Sequence, residues 1–142
     1  MIKLYGIRRF IQWNTFGCGA ECVRSVLDYY GMNHMSKSEL YEELGTTPDE
    51  GTDEKKIKRF LQSYGLRTRQ MYFGTFRKLR RAIDYGYPVI LWIKKEDHWV
   101  VLKGYSDDAV YVMDPSAFSV PRREWSTFKR KWRGYGIIVM EG

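Results

Sequence analysis

Apolar residues change their spacing once along this chain, and the change divides it into two parts. The first helical stretch lies within Gln12 to Gly31, QWNTFGCGAECVRSVLDYYG. Cys22, Val23, Val26, Leu27 and Tyr30 recur at helical spacing, Arg24, Ser25 and Asp28 fall on the other side, and Gly31 is placed to stop the helix. Ser36, with Glu39 three residues later, is a capping-box start for a short helix through Leu40 and Leu44 that Gly45 ends. Residues 46–51, TTPDEG, read as a loop. Thr52, followed by Asp53 and Glu54 in the first turn, opens a helix with Ile57, Phe60, Leu61 and Tyr64 on one face and Gly65 as its stop. Leu66 to Phe73 reads as a short strand. Thr75 to Tyr85 carries Phe76, Leu79, Ala82 and Ile83 at helical spacing, with Gly86 after it.

From Pro88 the period shifts. PVILWIK is a short, nearly continuous apolar run, as expected of a strand buried on both faces. A second strand begins His98-Trp99-Val100-Val101-Leu102 and a third is AVYVMD, ending at Asp114, with Ser106-Asp107-Asp108 as the hairpin between them. REWSTFKRKW, from Arg123, reads as a short helix and YGIIVM as a last strand. Helices first and an antiparallel sheet afterwards, with no repeat or linker, predict an α+β fold. Residues 1–142 are expected to form a single domain with its N-terminal helices packed on a C-terminal antiparallel sheet.

Composition narrows the setting. A chain of 142 residues, 44% hydrophobic and 16% aromatic, has what a folded globule needs and is expected to bury about 68% of its unfolded surface. No apolar run approaches the ~18 residues that a membrane span requires. The opening MIKLYGIRRFIQW has no continuous apolar block of the secretory kind. Two cysteines four residues apart on one helix are no disulfide framework, so the expected compartment is a reducing cytoplasm. The net charge of +7 leaves a nucleic acid or an anionic surface open as a partner. Most cations, however, alternate with apolar positions, as on a solvated helix face. The densest group, Arg122, Arg123, Lys129, Arg130, Lys131 and Arg133 around Trp125, Phe128 and Trp132, comes with no recognition motif.

Candidate chemistry begins at Cys18, at or just before the first turn of its helix. Unpaired N–H groups and the positive end of the helix dipole favour thiolate there. Across the hairpin, antiparallel pairing places His98 within a residue or so of opposite Asp114, close enough for an imidazole–carboxylate hydrogen bond. A bulge would shift that register. His34, the other histidine, lies beyond the far end of the Cys18 helix, roughly 18 Å away at ~1.5 Å per residue. Cys22 reads as a buried packing thiol. Cys18 and Cys22 supply only two of the four ligands that a structural zinc needs, so no metal or cofactor is expected. On the residues alone, a core role for Cys18 and a sheet role for His98 stand beside the catalytic one. Trp92 and Trp99 fit a cleft wall and a core equally.

Ordered motifs add to this. Gln12 precedes Cys18-Gly19 with five residues between, the helix closes in Tyr29-Tyr30-Gly31, and His98-Trp99-Val100-Val101 precedes Gly104-Tyr105 and Asp114-Pro115. In that order the chain resembles the papain-like cysteine peptidase domain that trims double-glycine leader peptides in bacteriocin exporters, and its stand-alone relatives. The resemblance runs from Gln12 to about Gly134 and implies a papain-like fold. It also implies a peptide or protein substrate, Cys18 as nucleophile, His98 as base, Asp114 as its orienting partner and Gln12 as oxyanion donor. The implied cleavage is after small residues such as glycine. The same groups could serve a thiol amidase, deamidase or acyltransferase, and a catalytically inactive relative would bind peptide only. Two positions depart from the pattern: Gly17, where the family often has an acidic residue, and Ser116-Ala117-Phe118, where it often has glycine.

Overall fold

The computed structural model describes every residue except 13, 15, 34, 49–50 and 117–119. Among the described residues, seven strands and five helices follow the order β1 (Ile2–Lys3), α1 (Cys18–Tyr29), α2 (Lys37–Leu44), α3 (Glu54–Ser63), β2 (Arg67–Met71), α4 (Phe76–Asp84), β3 (Val89–Ile93), β4 (His98–Tyr105), β5 (Ala109–Met113), β6 (Arg122–Glu124), α5 (Trp125–Trp132) and β7 (Gly136–Met140). A short 3-10 turn, Lys94–Glu96, leads into β4. The fold is α+β, and every strand pairing is antiparallel.

The helix signals act where they were expected. Ser36 Oγ accepts the Glu39 N–H at 3.2 Å, and Gly45 closes α2 in the left-handed region. Thr75 accepts the Lys78 N–H in the same way. One start moves: the N-cap of α3 is Asp53, because Thr52 is buried and pairs its hydroxyl with Thr46 Oγ1 at 2.7 Å. Two strands were not legible. β1 pairs with the far end of β4, and β6 pairs with β5, taking Arg123 and Glu124 out of the expected helix.

The sheet runs β2-β7-β3-β4-β5-β6, with β1 beside β4. Side chains alternate across it and feed two cores. Ile90, Trp99, Val101, Ile137 and Val139 pack with α1, α2 and α3, while Val89, Leu91, Val100, Leu102 and Val112 pack with α4 and α5. Helices thus cover both faces, α1–α3 one and α4 and α5 the other, a division the sequence reading left open. The polar side of α1 is also less exposed than its pattern implied. Ser25 is buried and donates to the Arg8 carbonyl, and Asp28 is paired by Arg8 at 2.7 Å, because the N-terminal segment lies across that side. No described helix is long and apolar enough to cross a membrane.

Candidate active site

Helix α1 begins at Cys18, so the thiol sits on the first turn, among N–H groups that the helix cannot pair internally. The next residue has to be small. A Cβ on Gly19 would lie 2.7 Å from Thr52 Cβ and 3.1 Å from Trp99 Cδ1. That close approach lets the start of α1 press against the start of β4, which bears His98.

Leu102 and Gly104 bracket a bulge in the β4–β5 pairing, and beyond it Val101 faces Met113. One step further, Val100 is level with Asp114 and His98 with Ser116. Asp114 is therefore a diagonal neighbour of His98, two positions off the directly opposed place. The side chains still meet: His98 Nε2 lies 2.6 Å from Asp114 Oδ1 and 3.2 Å from Ser116 Oγ. Pro115 has no N–H to continue a ladder. The chain turns there, and Asp114 Oδ1 accepts the Ser116 N–H at 2.9 Å. The Cys18 side chain also acts on this ring, favouring its protonated form. His98 is thus bonded to Asp114 on one side and has Cys18 near enough to act on its charge.

Electrostatics favour charge on both His98 and Asp114. Burial works against the imidazolium, but hydrogen bonds to Asp114 and Cys18 and the charges of both outweigh it, raising the His98 pKa to about 10. Burial also opposes the Asp114 carboxylate. Its bonds to His98, to the Ser116 N–H and to Arg123 win, and hold it well below the usual carboxylate range. Cys22 is different: complete burial, reinforced by Cys18 and nearby acids, pushes its thiol well up. It is a packing residue, as its spacing implied.

Four supporting side chains escaped the sequence reading. Arg123 Nη2 donates to Asp114 Oδ2 at 2.8 Å, on the side away from His98. Arg9 clamps the same turn, donating to the carbonyls of Asp114 and Ser116. Glu21, fully buried one turn into α1, accepts from Tyr41 Oη at 2.8 Å and pairs with Lys37 at 3.3 Å. Lys37 also donates to the Ile11 carbonyl at 2.6 Å, which fastens the segment bearing Gln12.

Gln12 donates its backbone N–H to the Pro115 carbonyl at 3.0 Å, so it is tied to the turn that carries Asp114. Its side-chain Nε2 donates to the Asn14 carbonyl at 2.5 Å, and its Oε1 is buried with no partner among the described residues. Beside Cys18 lies a cavity of about 460 Å³, with Trp92 and Trp99 in its wall. Among the described residues no group of three His, Cys, Asp or Glu side chains gathers as a metal site would need. His34 and the Ala117-Phe118 departure lie outside the described residues.

The sequence profile of the peptidase C39 family matches residues 9–142. The chain belongs to the peptidase C39 family. It is a cysteine-type peptidase. The peptidase domain of Streptococcus ComA, a bi-functional ABC transporter involved in quorum sensing, superposes with a TM-score of 0.81 at 26% identity, covering 96% of this chain and 99% of that one. A double-glycine-motif protease from the AMS/PCAT transporter, solved with its leader peptide, shares the fold at 22% identity and a TM-score of 0.77, covering 95% and 91%. A candidate C39-like peptidase from Bacillus anthracis does so at 18% and 0.80, covering 99% and 98%. No curated protein matches the chain. Within this C39 peptidase, Gly17 is explained by its neighbour: Tyr41 Oη occupies the space that a Cβ there would need.

Proposed function

We propose that this C39 peptidase cuts peptides with Cys18 as nucleophile, His98 as base and acid, Asp114 as orienting carboxylate and Gln12 as oxyanion donor. The observation that carries the reading is the 2.6 Å pair of His98 with Asp114, on a ring whose proton Cys18 also helps to hold. In this scheme the Cys18 thiolate attacks the scissile carbonyl while His98 is protonated. The negative oxygen receives the first-turn N–H of Cys18 and the second N–H of the Gln12 amide, since one is spent on Asn14. Loss of one such donor costs about 10²–10³ in rate. His98 gives its proton to the leaving amine, then draws one from the water that hydrolyses the thioester. Asp114 fixes the ring so that the nitrogen facing the sulfur does this work.

The proposed substrates are peptides cut after small residues, and the double-glycine leader named for the AMS/PCAT relative is the first candidate. Incubating the protein with a peptide library that includes double-glycine sequences tests both parts. Cleavage after Gly-Gly that disappears in Cys18→Ala supports the reading. Cleavage that survives in Cys18→Ala or in His98→Ala overturns the residue assignment, and cleavage confined to bulky residues overturns the substrate class. The site is read as working in the cytoplasm, as one domain of 142 residues.

A further inference from the structure

The cavity beside Cys18 has a charge opposite to that of the molecule. The chain carries 24 Lys and Arg against 17 Asp and Glu. Yet the described residues lining this cavity include Asp53, Glu54 and Asp97 and not one Lys, Arg or His. Lys55 and Lys94 neighbour these acids in sequence without reaching the lining.

The acids sit on aromatic walls. Trp92 and Trp99 have ring centroids 4.9 Å apart at 55°, and Trp99 and Tyr135 lie 6.2 Å apart at 63°. Carboxylates beside aromatic faces suit an alkylammonium or guanidinium, which gains both ionic and cation–π attraction. The acids are also placed for solvent-side work. Asp53 caps α3 without spending its carboxylate on a capping hydrogen bond. Asp97 is exposed and left-handed at φ 51°, immediately before His98. Burial and the Glu54 carboxylate both push the Tyr135 phenol pKa up, so the acidic rim adjoins the aromatic wall.

We propose that this cavity is a specificity subsite for a cationic residue, Lys or Arg, close to the scissile bond of the peptide substrate. The inference rests on the cleft at Cys18 being the substrate site. It adds which peptides are chosen there.

Two measurements on the full chain test it. The first uses the trimethylammonium and sulfonate methanethiosulfonates to label Cys18, each rate divided by that with a free thiol and Cys18→Ser as control. The cationic reagent is expected to be favoured about tenfold at low salt, with the preference shrinking toward 1 M salt as the Debye length falls to about 3 Å. Asp53→Asn with Asp97→Asn should remove most of the preference, since asparagine keeps the cap and tolerates the left-handed turn. Equal normalised rates for the two reagents overturn the proposal. The second measures kcat/KM on Gly-Gly peptides carrying either Lys or Glu at single positions within about three residues of the cut. A Lys advantage of about tenfold at one position, residing in KM and lost in the double variant, is expected. Equal or Glu-favoured cleavage overturns the inference and leaves the peptidase reading standing. Charge-selective labelling with no peptide cut does the reverse.

Discussion

At the scale of single residues, the site's behaviour depends on two contacts of the Asp114 carboxylate, to His98 and to Arg123. The raised His98 pKa stabilises the fold fully below the ordinary imidazole value of 6.5, and this stabilisation is lost as pH rises through about 10. Activity that uses the imidazolium as acid should therefore show its alkaline limb near 10. In Asp114→Asn that limb is expected to move down toward 6.5, which a pH profile of kcat/KM would show. The depressed Asp114 works in the opposite sense: its contribution is full above 3.8 and is lost as pH falls through its own lower value. Arg123→Met removes a charged hydrogen bond worth about 1.5–3 kcal/mol and raises that lower value. Acid unfolding should then begin at higher pH than in the parent, measured by circular dichroism, while Arg123→Lys recovers part of the difference. The pairing of His98 with Asp114 was legible because a short hairpin leaves few registers. Arg123 was not, because its role depends on β6 lying beside β5, and three charged or polar residues carry no strand pattern of their own.

Among the elements, α1 is held by what packs against its first turn. Tyr41 of α2 fills the space over Gly17 and bonds Glu21. Restoring an acidic residue there, Gly17→Asp, should destabilise the protein by about 1–3 kcal/mol through overpacking. Removing the obstructing ring in Gly17→Asp with Tyr41→Ala should make the pair less costly than the two single changes added together, which a double-mutant cycle in urea would measure. Glu21 is fully buried and its pair with Lys37 nearly so, so Lys37→Met leaves the carboxylate with its Tyr41 bond but no cation and is expected to cost about 3–5 kcal/mol. The same variant frees the Ile11 carbonyl and with it the Gln12 segment. It should therefore also lower kcat, whereas a packing defect far from the segment would lower stability alone. Helix limits were readable because caps and glycines act locally: Ser36 with Glu39, Thr75 and Gly45 all sit where their sequence signal put them. The buried side of α1 was not, because Ser25 and Glu21 are covered by segments distant in sequence.

Considering the whole molecule, the α+β class followed from the single change of hydrophobic period, but the covering of both sheet faces did not. The helices α4 and α5 are short and amphipathic, and nothing in their own sequence says which face of the sheet receives them. Their packing also encloses two rings of the basic C-terminal group. Phe128 and Trp132 are buried against Trp125 and Phe76, while Arg122, Arg123 and Lys131 are paired with Asp108, Asp114 and Glu96. Ile137 lies at the sheet centre, facing Ile90 on one side and Gln70 on the other. Ile137→Ala should cost about 2–5 kcal/mol in a denaturant titration. The position of β7 also has a consequence for the time at which the enzyme first exists. This seventh strand is inserted between β2 and β3, and Val139 receives the Tyr30 hydroxyl at 2.7 Å. On a ribosome the middle of the sheet stays open, and the helix bearing Cys18 lacks that tether, until residues 136–140 have cleared the exit tunnel. A nascent chain stalled before that point holds every proposed catalytic residue and has no finished cleft to use them in.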